Sequence, residues 1–224
     1  MKILVIIPAY NEEATIYNVV GQVRHCGLEV DVLVINDGSS DCTSQKALQA
    51  GAKVLNLPVN IGIGGAVQTG YLYALYNNYD IAVQIDGDGQ HNPIYLPKLI
   101  EPLIDDTADM AIGSRFLEDT GYDPSFFRSI GIKYFSRLVS SIIHKPILDT
   151  TSGFRAINRK TIELFSKYYP SDYPEVETIV YIASRGLRIR EIPVCMNYRQ
   201  GGKSSITPFK SIYYMLKVTL SVVF

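Results

Sequence analysis

Short, unbroken apolar runs recur through the first half of the chain. Each is followed by a stretch in which apolar positions return every three or four residues. The runs predict strands near residues 2–7, 31–35, 53–56, 81–85 and 109–112. The stretches between them predict helices near 12–25, 41–50, 64–77 and 94–105, the last opening just after Pro93. Repeated strand–helix order implies an α/β, mostly parallel, doubly wound sheet with helices on both faces. Unbroken apolar runs, as opposed to alternating ones, fit strands covered from both sides. Past residue 112 the rhythm changes: 116–127 reads as a loop rich in Gly, Asp and Phe, and a helix near 128–144 carries Arg128, Lys133 and Arg137. No linker, repeat or low-complexity segment interrupts the chain, so a single domain is expected. Residues 206–224 are mostly apolar, with Lys210 and Lys217 their only charged side chains, and their longest charge-free part is too short to span a bilayer. Seven apart, the two lysines share a helical face, which predicts an amphipathic helix lying at a membrane interface, with Phe209, Tyr213, Leu216 and Leu220 immersed. The competing reading is a C-terminal core helix. Ending on Val-Val-Phe is compatible with a longer natural chain.

Composition narrows this picture. The chain has 224 residues, 47% hydrophobic and 19% charged, enough for one sizeable core and unlike a disordered chain. Net charge is −1, but its halves differ. Residues 1–112 hold 5 Lys/Arg against 13 Asp/Glu, a net −8, and residues 113–224 hold 16 against 9, a net +7. A basic second half suggests an anionic partner, phosphate or a lipid surface. No long basic tract or aromatic-basic signature points to nucleic acid. Cys26, Cys42 and Cys195 are odd in number and lack CxxC spacing, so no disulfide framework or zinc site is expected and a reducing cytosol is. The N-terminal apolar stretch breaks at Pro8, too early for a signal peptide.

Candidate chemistry gathers at predicted strand ends, where open parallel sheets place their ligands. The fourth strand runs into Asp86-Gly87-Asp88-Gly89-Gln90: two carboxylates around a glycine, followed by a second glycine that lets a ligand approach the backbone. With strand periodicity both carboxylates point to one side. Two hard oxygen donors suit Mg²⁺ or Mn²⁺, ions that share their shell with substrate phosphates. The first strand ends in Pro8-Ala9-Tyr10-Asn11-Glu12-Glu13, whose acids favour the start of a helix, and the second in Asn36-Asp37-Gly38-Ser39-Ser40-Asp41. The segment Asn60-Ile61-Gly62-Ile63-Gly64-Gly65-Ala66 has Val67 where a dinucleotide fingerprint needs its last glycine, so it predicts a turn near the donor instead of a dehydrogenase site. His91 is not required by a hard-oxygen site, and His25 and His144 read as surface or capping residues.

Five segments, in order and spanning nearly the whole chain, give it a strong resemblance to the inverting family 2 glycosyltransferases of the GT-A fold. They are Pro8-Ala9-Tyr10-Asn11-Glu12, Asn36-Asp37-Gly38-Ser39, Asp86-Gly87-Asp88-Gly89-Gln90-His91, Gly113-Ser114-Arg115 and Thr151-Ser152-Gly153-Phe154-Arg155. Within that family the chain is most similar to the dolichol-phosphate mannosyltransferase and polyprenyl-phosphate glycosyltransferase group. The resemblance implies a nucleotide diphosphate sugar donor, UDP- or GDP-linked, held by Pro8, Ala9, Tyr10, Glu12, Asp37, Gly64, Asp86 and Gly87. It further implies a Mg²⁺ or Mn²⁺ cofactor at Asp86, Asp88 and Gln90, with Arg115 near the transferred sugar and Asp88, Asp149 and Arg115 as the catalytic set.

Residue chemistry extends these expectations. Arg128, Lys133 and Arg137 are candidates to receive an acceptor phosphate, and Arg199 and Lys203 to close over the diphosphate, since the Arg fork binds phosphate bidentately. A polyprenyl phosphate is largely ionised at neutral pH, its second pKa being about 6, and needs no strong base, so Asp149 would orient Arg or Lys. A sugar hydroxyl would need a base, and Asp149 is then the first choice. The expected activity is transfer of a hexose to polyprenyl phosphate by an enzyme peripheral to the inner membrane face, with self-association left open. The alternatives are transfer to a sugar hydroxyl in cell-surface polysaccharide synthesis, which the acids of Tyr173-Pro174-Glu175-Val176-Glu177 keep open, and a non-catalytic nucleotide-sugar-binding scaffold. The domain is expected to span 1–205, divided near residue 115 into donor and acceptor halves.

Overall fold

The computed structural model describes residues 1–118, 126–172, 174–197 and 215–221, with backbone alone at 126–128. Seven strands form one sheet: β1 (Ile3–Ala9), β2 (Asp31–Asn36), β3 (Lys53–Asn56), β4 (Ile81–Gln84), β5 (Met110–Ser114), β6 (Arg155–Asn158) and β7 (Ile189–Pro193). The helices are α1 (Ile16–Arg24), α2 (Thr43–Gln49), α3 (Gly62–Tyr76), α4 (Leu96–Ile104), α5 (Phe126–Ile143), α6 (Arg159–Lys167) and α7 (Pro174–Ser184), and a 3₁₀ turn at Pro93–Tyr95 leads into α4. Residues 215–221 are also helical.

The strand order is β3-β2-β1-β4-β6-β5-β7. β1 pairs in parallel with both β2 and β4, so the order reverses between β1 and β4 and opens a crevice at their carboxyl ends. β6 is antiparallel to β4 and to β5 on its two sides, while β7 closes the edge parallel to β5. The sheet is thus mixed: β6 alone runs against the other strands, and of those others the hydrophobic runs forecast β1 to β5 but not β7.

The unbroken apolar runs have a simple cause. Ile3, Val5 and Ile7 of β1 join one buried layer with α1 and α4, while Leu4 and Ile6 join the other with α3, α5, α6 and α7. Both faces of β1 are covered, so every position along it is apolar until Pro8.

β6 positions the site. Being antiparallel, it begins where β4 and β5 end: Arg155 lies opposite Gln84 on one side and Ile112 on the other. The segment 149–154 therefore arrives at the same sheet edge as the carboxylates after β4 and Arg115 after β5. β6, α6, α7 and β7 were not foreseen in the sequence. No described helix is long and apolar enough to cross a membrane.

Candidate functional site

The crevice floor is made by two loops bound to each other. After β1, the Asn11 amide donates to Ser39 Oγ (2.9 Å), and the Ser40 amide donates to Asn11 Oδ1 (2.9 Å). The Glu12 amide donates to Thr43 Oγ1 (2.8 Å). Asn11 has φ +55°, a left-handed conformation that Asn tolerates because its short side chain bonds locally. Tyr10 is exposed at this edge, and Pro8 and Ala9 are buried under it. Asp37, also buried, spends both carboxylate oxygens on the start of α3, accepting from the Ile61 amide at 2.8 Å and the Gly62 amide at 3.0 Å.

The turn after β4 rests on this floor. Thr15 Oγ1 donates to the Gly87 carbonyl (2.7 Å) and lies 3.0 Å from Glu12 Oε2, tying the Asp-Gly-Asp turn to the first loop. A Cβ at Gly87 would stand 3.3 Å from the Pro8 carbonyl oxygen, so glycine permits that close seat. β4 ends at Gln84, and the two acids sit in the turn beyond it instead of continuing strand periodicity. Asp86 is half-buried and Asp88 buried, with Asp88 Oδ1 accepting from the Gln90 amide at 3.0 Å.

His91 fixes this turn. Its Nδ1 accepts from the Asp86 amide (3.0 Å), its Nε2 lies 3.6 Å from Asp86 Oδ2, and its ring stacks on Phe154 with centroids 5.1 Å apart. Acceptance at Nδ1 places the proton of a neutral ring on Nε2, toward the carboxylate. His91 is therefore a positioning residue whose part the sequence did not suggest. Asn197 braces the same turn, its amide donating to the Gln90 carbonyl at 2.8 Å.

The donor set suits a hard divalent cation. Asp86 and Asp88 supply two carboxylates, and such an ion commonly takes one or two from protein, with phosphates filling the rest of its shell. Glycine at 153 preserves access to the first: a Cβ there would stand 3.2 Å from Asp86 Oδ2 and 3.3 Å from Oδ1. Among the described residues no group of three or more His, Cys, Asp or Glu side chains is arranged to hold a metal.

Beyond β5, Arg115 and Asp149 form a buried, bidentate pair, with Arg115 Nε to Asp149 Oδ2 at 2.7 Å and Nη2 to Oδ1 at 2.6 Å. Arg115 also donates its amide to Asp149 Oδ2 (3.1 Å) and Nη2 to Thr151 Oγ1 (2.8 Å). From β7, Glu191 accepts the Leu148 and Asp149 amides at 2.9 and 2.8 Å, fixing the segment that carries the carboxylate. Asp149 is thus placed to orient Arg115.

Arg155 is buried and structural in its contacts. It donates to the Ser152 carbonyl (2.8 Å), Thr178 Oγ1 (2.6 Å) and the Glu175 carbonyl (2.6 Å), joining β6 to α7. Glu175 opens α7 beside it. Burial raises the Glu175 carboxyl above its ordinary range and the Asp86 charge adds to this, while Arg155 opposes it. The only signal of Glu175 in the sequence was membership of an acid pair before an apolar stretch.

Other expected residues lie elsewhere. Gly64 is buried against the segment before α7, where a Cβ would come within 2.1 Å of the Pro170 carbonyl oxygen, so packing accounts for this glycine. Lys133 and Arg137 are exposed on the outer face of α5, lining a shallow depression with none of the strand-end residues. Arg199, Lys203, Phe209, Lys210 and Tyr213, and the side chain of Arg128, are outside the described residues. Lys217 is ion-paired with Asp172 instead of reaching outward.

Residues 4–165 match the profile of Glycosyl transferase family 2. An undecaprenyl-phosphate mannosyltransferase of Micrococcus luteus is 32% identical over 92% of this chain and 88% of its own. A polyprenol monophosphomannose synthase of Mycolicibacterium smegmatis is 29% identical over 97% and 85%. A UDP-N-acetylglucosamine–dolichyl-phosphate N-acetylglucosaminyltransferase of Methanococcus voltae is 28% identical over 99% and 97%. Among solved structures, glucosyl-3-phosphoglycerate synthase from Mycobacterium tuberculosis, in complex with Mn²⁺, UDP-glucose and phosphoglyceric acid, superposes with a TM-score of 0.75. It is 22% identical, and the match covers 99% of this chain and 78% of that one.

Proposed function

Because the chain belongs to glycosyl transferase family 2 and is a glycosyltransferase of GT-A fold, we propose that it moves a hexose from a nucleotide diphosphate sugar to a polyprenyl phosphate in one inverting displacement. The observation that carries this reading is the convergence, on one crevice, of the Asp86/Asp88 turn and the Arg115–Asp149 pair. The three relatives named for lipid-phosphate acceptors support the acceptor class. In the reaction an acceptor phosphate oxygen forms a bond to the anomeric carbon, and the bond from that carbon to the diphosphate oxygen breaks.

A divalent cation at Asp86 and Asp88, with the Gln90 amide oxygen alongside, would supply neutralisation of the charge growing on the leaving diphosphate. His91 and Thr15 keep that turn in place. Pro8, Ala9, Tyr10, Glu12 and the Asp37 loop form the wall for base and ribose, and Gly87 keeps the floor low enough for the diphosphate. Arg115, aligned by Asp149, stabilises negative charge by the transferred sugar without reorganising during the reaction. No base is required for a phosphate acceptor. The basic second half favours an anionic acceptor at the cytoplasmic leaflet, and this reading places the enzyme peripherally there.

Glu175 favours one second reading, transfer to a sugar hydroxyl. Its raised pKa and its place at the start of α7, beside the buried Arg155, suit a general base, whereas Asp149 is committed to Arg115. Transfer should be measured with UDP- and GDP-sugars plus Mg²⁺ or Mn²⁺, offering polyprenyl phosphate or an oligosaccharide. Product on the lipid phosphate, abolished by EDTA, is expected. Product on the oligosaccharide alone, falling as pH drops through the Glu175 pKa and lost in Glu175→Gln, would establish the second reading instead. Donor binding with no turnover under any condition would leave a non-catalytic scaffold.

A further inference from the structure

A hollow on the surface of α7 shares no residue with the crevice. Glu177, Val180 and Tyr181 follow one helical face at spacings of three and four, and Arg185 continues it just past the end of the helix. With Tyr168, which follows α6, and Ser221 they line an open space of about 450 Å³.

Its side chains hold one another in place. The Tyr168 hydroxyl donates to Glu177 Oε1 at 2.6 Å, and the Tyr168 ring leans on Tyr181 at 58°, with centroids 5.2 Å apart. The bond to Glu177, and after it burial, pushes the Tyr168 phenol up to about 12, so at neutral pH it stays protonated and remains a donor. The Arg185 guanidinium lies over the Tyr181 ring, 5.1 Å from its centre. Tyr168 is still 47% exposed. Among the described residues neither Glu177 nor Arg185 is in an ion pair. The hollow thus offers a ligand an aromatic surface, a carboxylate with an oxygen to spare, a guanidinium and a hydroxyl.

We propose that this hollow is a binding site for neutral carbohydrate, with a sugar ring on Tyr168 and its hydroxyls among Glu177, Arg185 and Ser221. Charge decides the class. Arg185 over Tyr181 repels a quaternary ammonium from the aromatic pair, and Glu177 repels a phosphate or a carboxylate from Arg185. A neutral polyol suits both, since its hydroxyls donate to the carboxylate and accept from the guanidinium. The C–H face of a pyranose meets the electron-rich face of the tyrosine ring. Tyr168 and Glu177 already fix each other, so binding costs little of their side-chain freedom. The site is separate from the transfer reaction but tied to its scaffold: α7 begins where Arg155, at the start of β6, donates to the Glu175 carbonyl at 2.6 Å. A glycan bound here is held along the helix that starts at the crevice edge.

The test uses the full chain with mannotriose and maltotriose as neutral probes, and choline and glycerol 3-phosphate as charged ones. Saturation-transfer NMR should show contact with at least one trisaccharide and with neither charged probe, and UDP with Mn²⁺ should not displace it. By calorimetry Tyr168→Ala should bind about tenfold more weakly, as loss of the ring surface implies, and Glu177→Gln several-fold more weakly. Tyr168→Phe, which keeps the ring, should lose less than Tyr168→Ala, with circular dichroism and the urea midpoint confirming that all three fold. Contact with neither trisaccharide, displacement by UDP and Mn²⁺, or unchanged affinity in both Tyr168→Ala and Glu177→Gln would overturn the inference. Choline or glycerol 3-phosphate binding in place of the trisaccharides would overturn it as well. Binding is the readout, so a protein inactive with every donor leaves this result standing, and failure here leaves the transfer reaction standing.

Discussion

At the scale of single residues, Asp149 holds Arg115 by both oxygens in a setting where neither partner is exposed. Replacing one member of such a pair leaves an uncompensated buried charge, which costs about 3–5 kcal/mol. Asp149→Asn is therefore expected to lower the urea midpoint strongly as well as kcat, whereas loss of a simple general base would lower kcat without unfolding the protein. Asp88 differs in what it faces. Asp88→Asn keeps the shape of the turn but neutralises one of two carboxylates at the proposed cation site, so transfer should fall by orders of magnitude while circular dichroism stays unchanged. Full activity of that variant with EDTA present would remove the cation from the mechanism.

Among elements, the packing of α3 against the segment before α7 depends on one missing Cβ. Gly64→Ala would press a methyl group within 2.1 Å of the Pro170 carbonyl oxygen and 2.4 Å of that of Ser171, atoms of the backbone that cannot rotate away. About 1–3 kcal/mol of destabilisation is expected, read from the urea midpoint. The far end of the sheet carries a pH-dependent tie. Burial alone would raise the Asp109 pKa, but bonds from Arg188, at 3.0 Å through Nε, and from Asn158 bring it down to about 2 from an ordinary 3.8. A carboxylate depressed on folding stabilises above its unfolded pKa, and that contribution is lost as pH falls from 3.8 toward 2. Arg188→Gln should lower the midpoint at neutral pH and flatten the acid limb of the stability profile over that interval.

The same scale explains what could be read beforehand. β1, β2, β4 and β5 announced themselves because strands covered on both faces are written as apolar runs, whereas the half-exposed edge strand β3 showed only its central Val54-Leu55 pair, and the Asp86, Asp37 and Pro8 turns were legible as the places where those runs stop. β6 is Arg155-Ala-Ile-Asn, four residues led by a buried Arg, and no periodicity marks it. Besides the nearby Ser152 carbonyl, Arg155 is satisfied by the Glu175 carbonyl and the Thr178 hydroxyl, 20 and 23 residues on, and such long-range satisfaction leaves no local pattern. The role of His91 was hidden likewise, since only β6 brings Phe154 beneath its ring.

The whole molecule joins a polar crevice at the sheet edge to a helical segment, residues 215–221, that shares in the core and leaves Leu216 and Leu220 exposed. Val218 is 2% exposed and packs, with Met215, into the layer that holds α5 and α7, and Lys217 is paired with Asp172. The purely interfacial helix expected from the sequence is thus corrected for the described part: one side of it is core. Deleting residues 206–224 would remove buried contacts along with outward leucines, so lost vesicle binding in that truncation would not separate the two roles. Point substitutions do. Val218→Ala removes two buried methyl carbons and should cost about 1.5–3 kcal/mol in the urea midpoint, with vesicle partition of the folded fraction unchanged. Leu216→Ser/Leu220→Ser changes exposed positions, so the midpoint should move by less than about 0.5 kcal/mol per site while partition onto anionic vesicles falls several-fold. If the serine pair unfolds the protein and leaves partition untouched, the outward leucines are core residues and the segment has no part in docking.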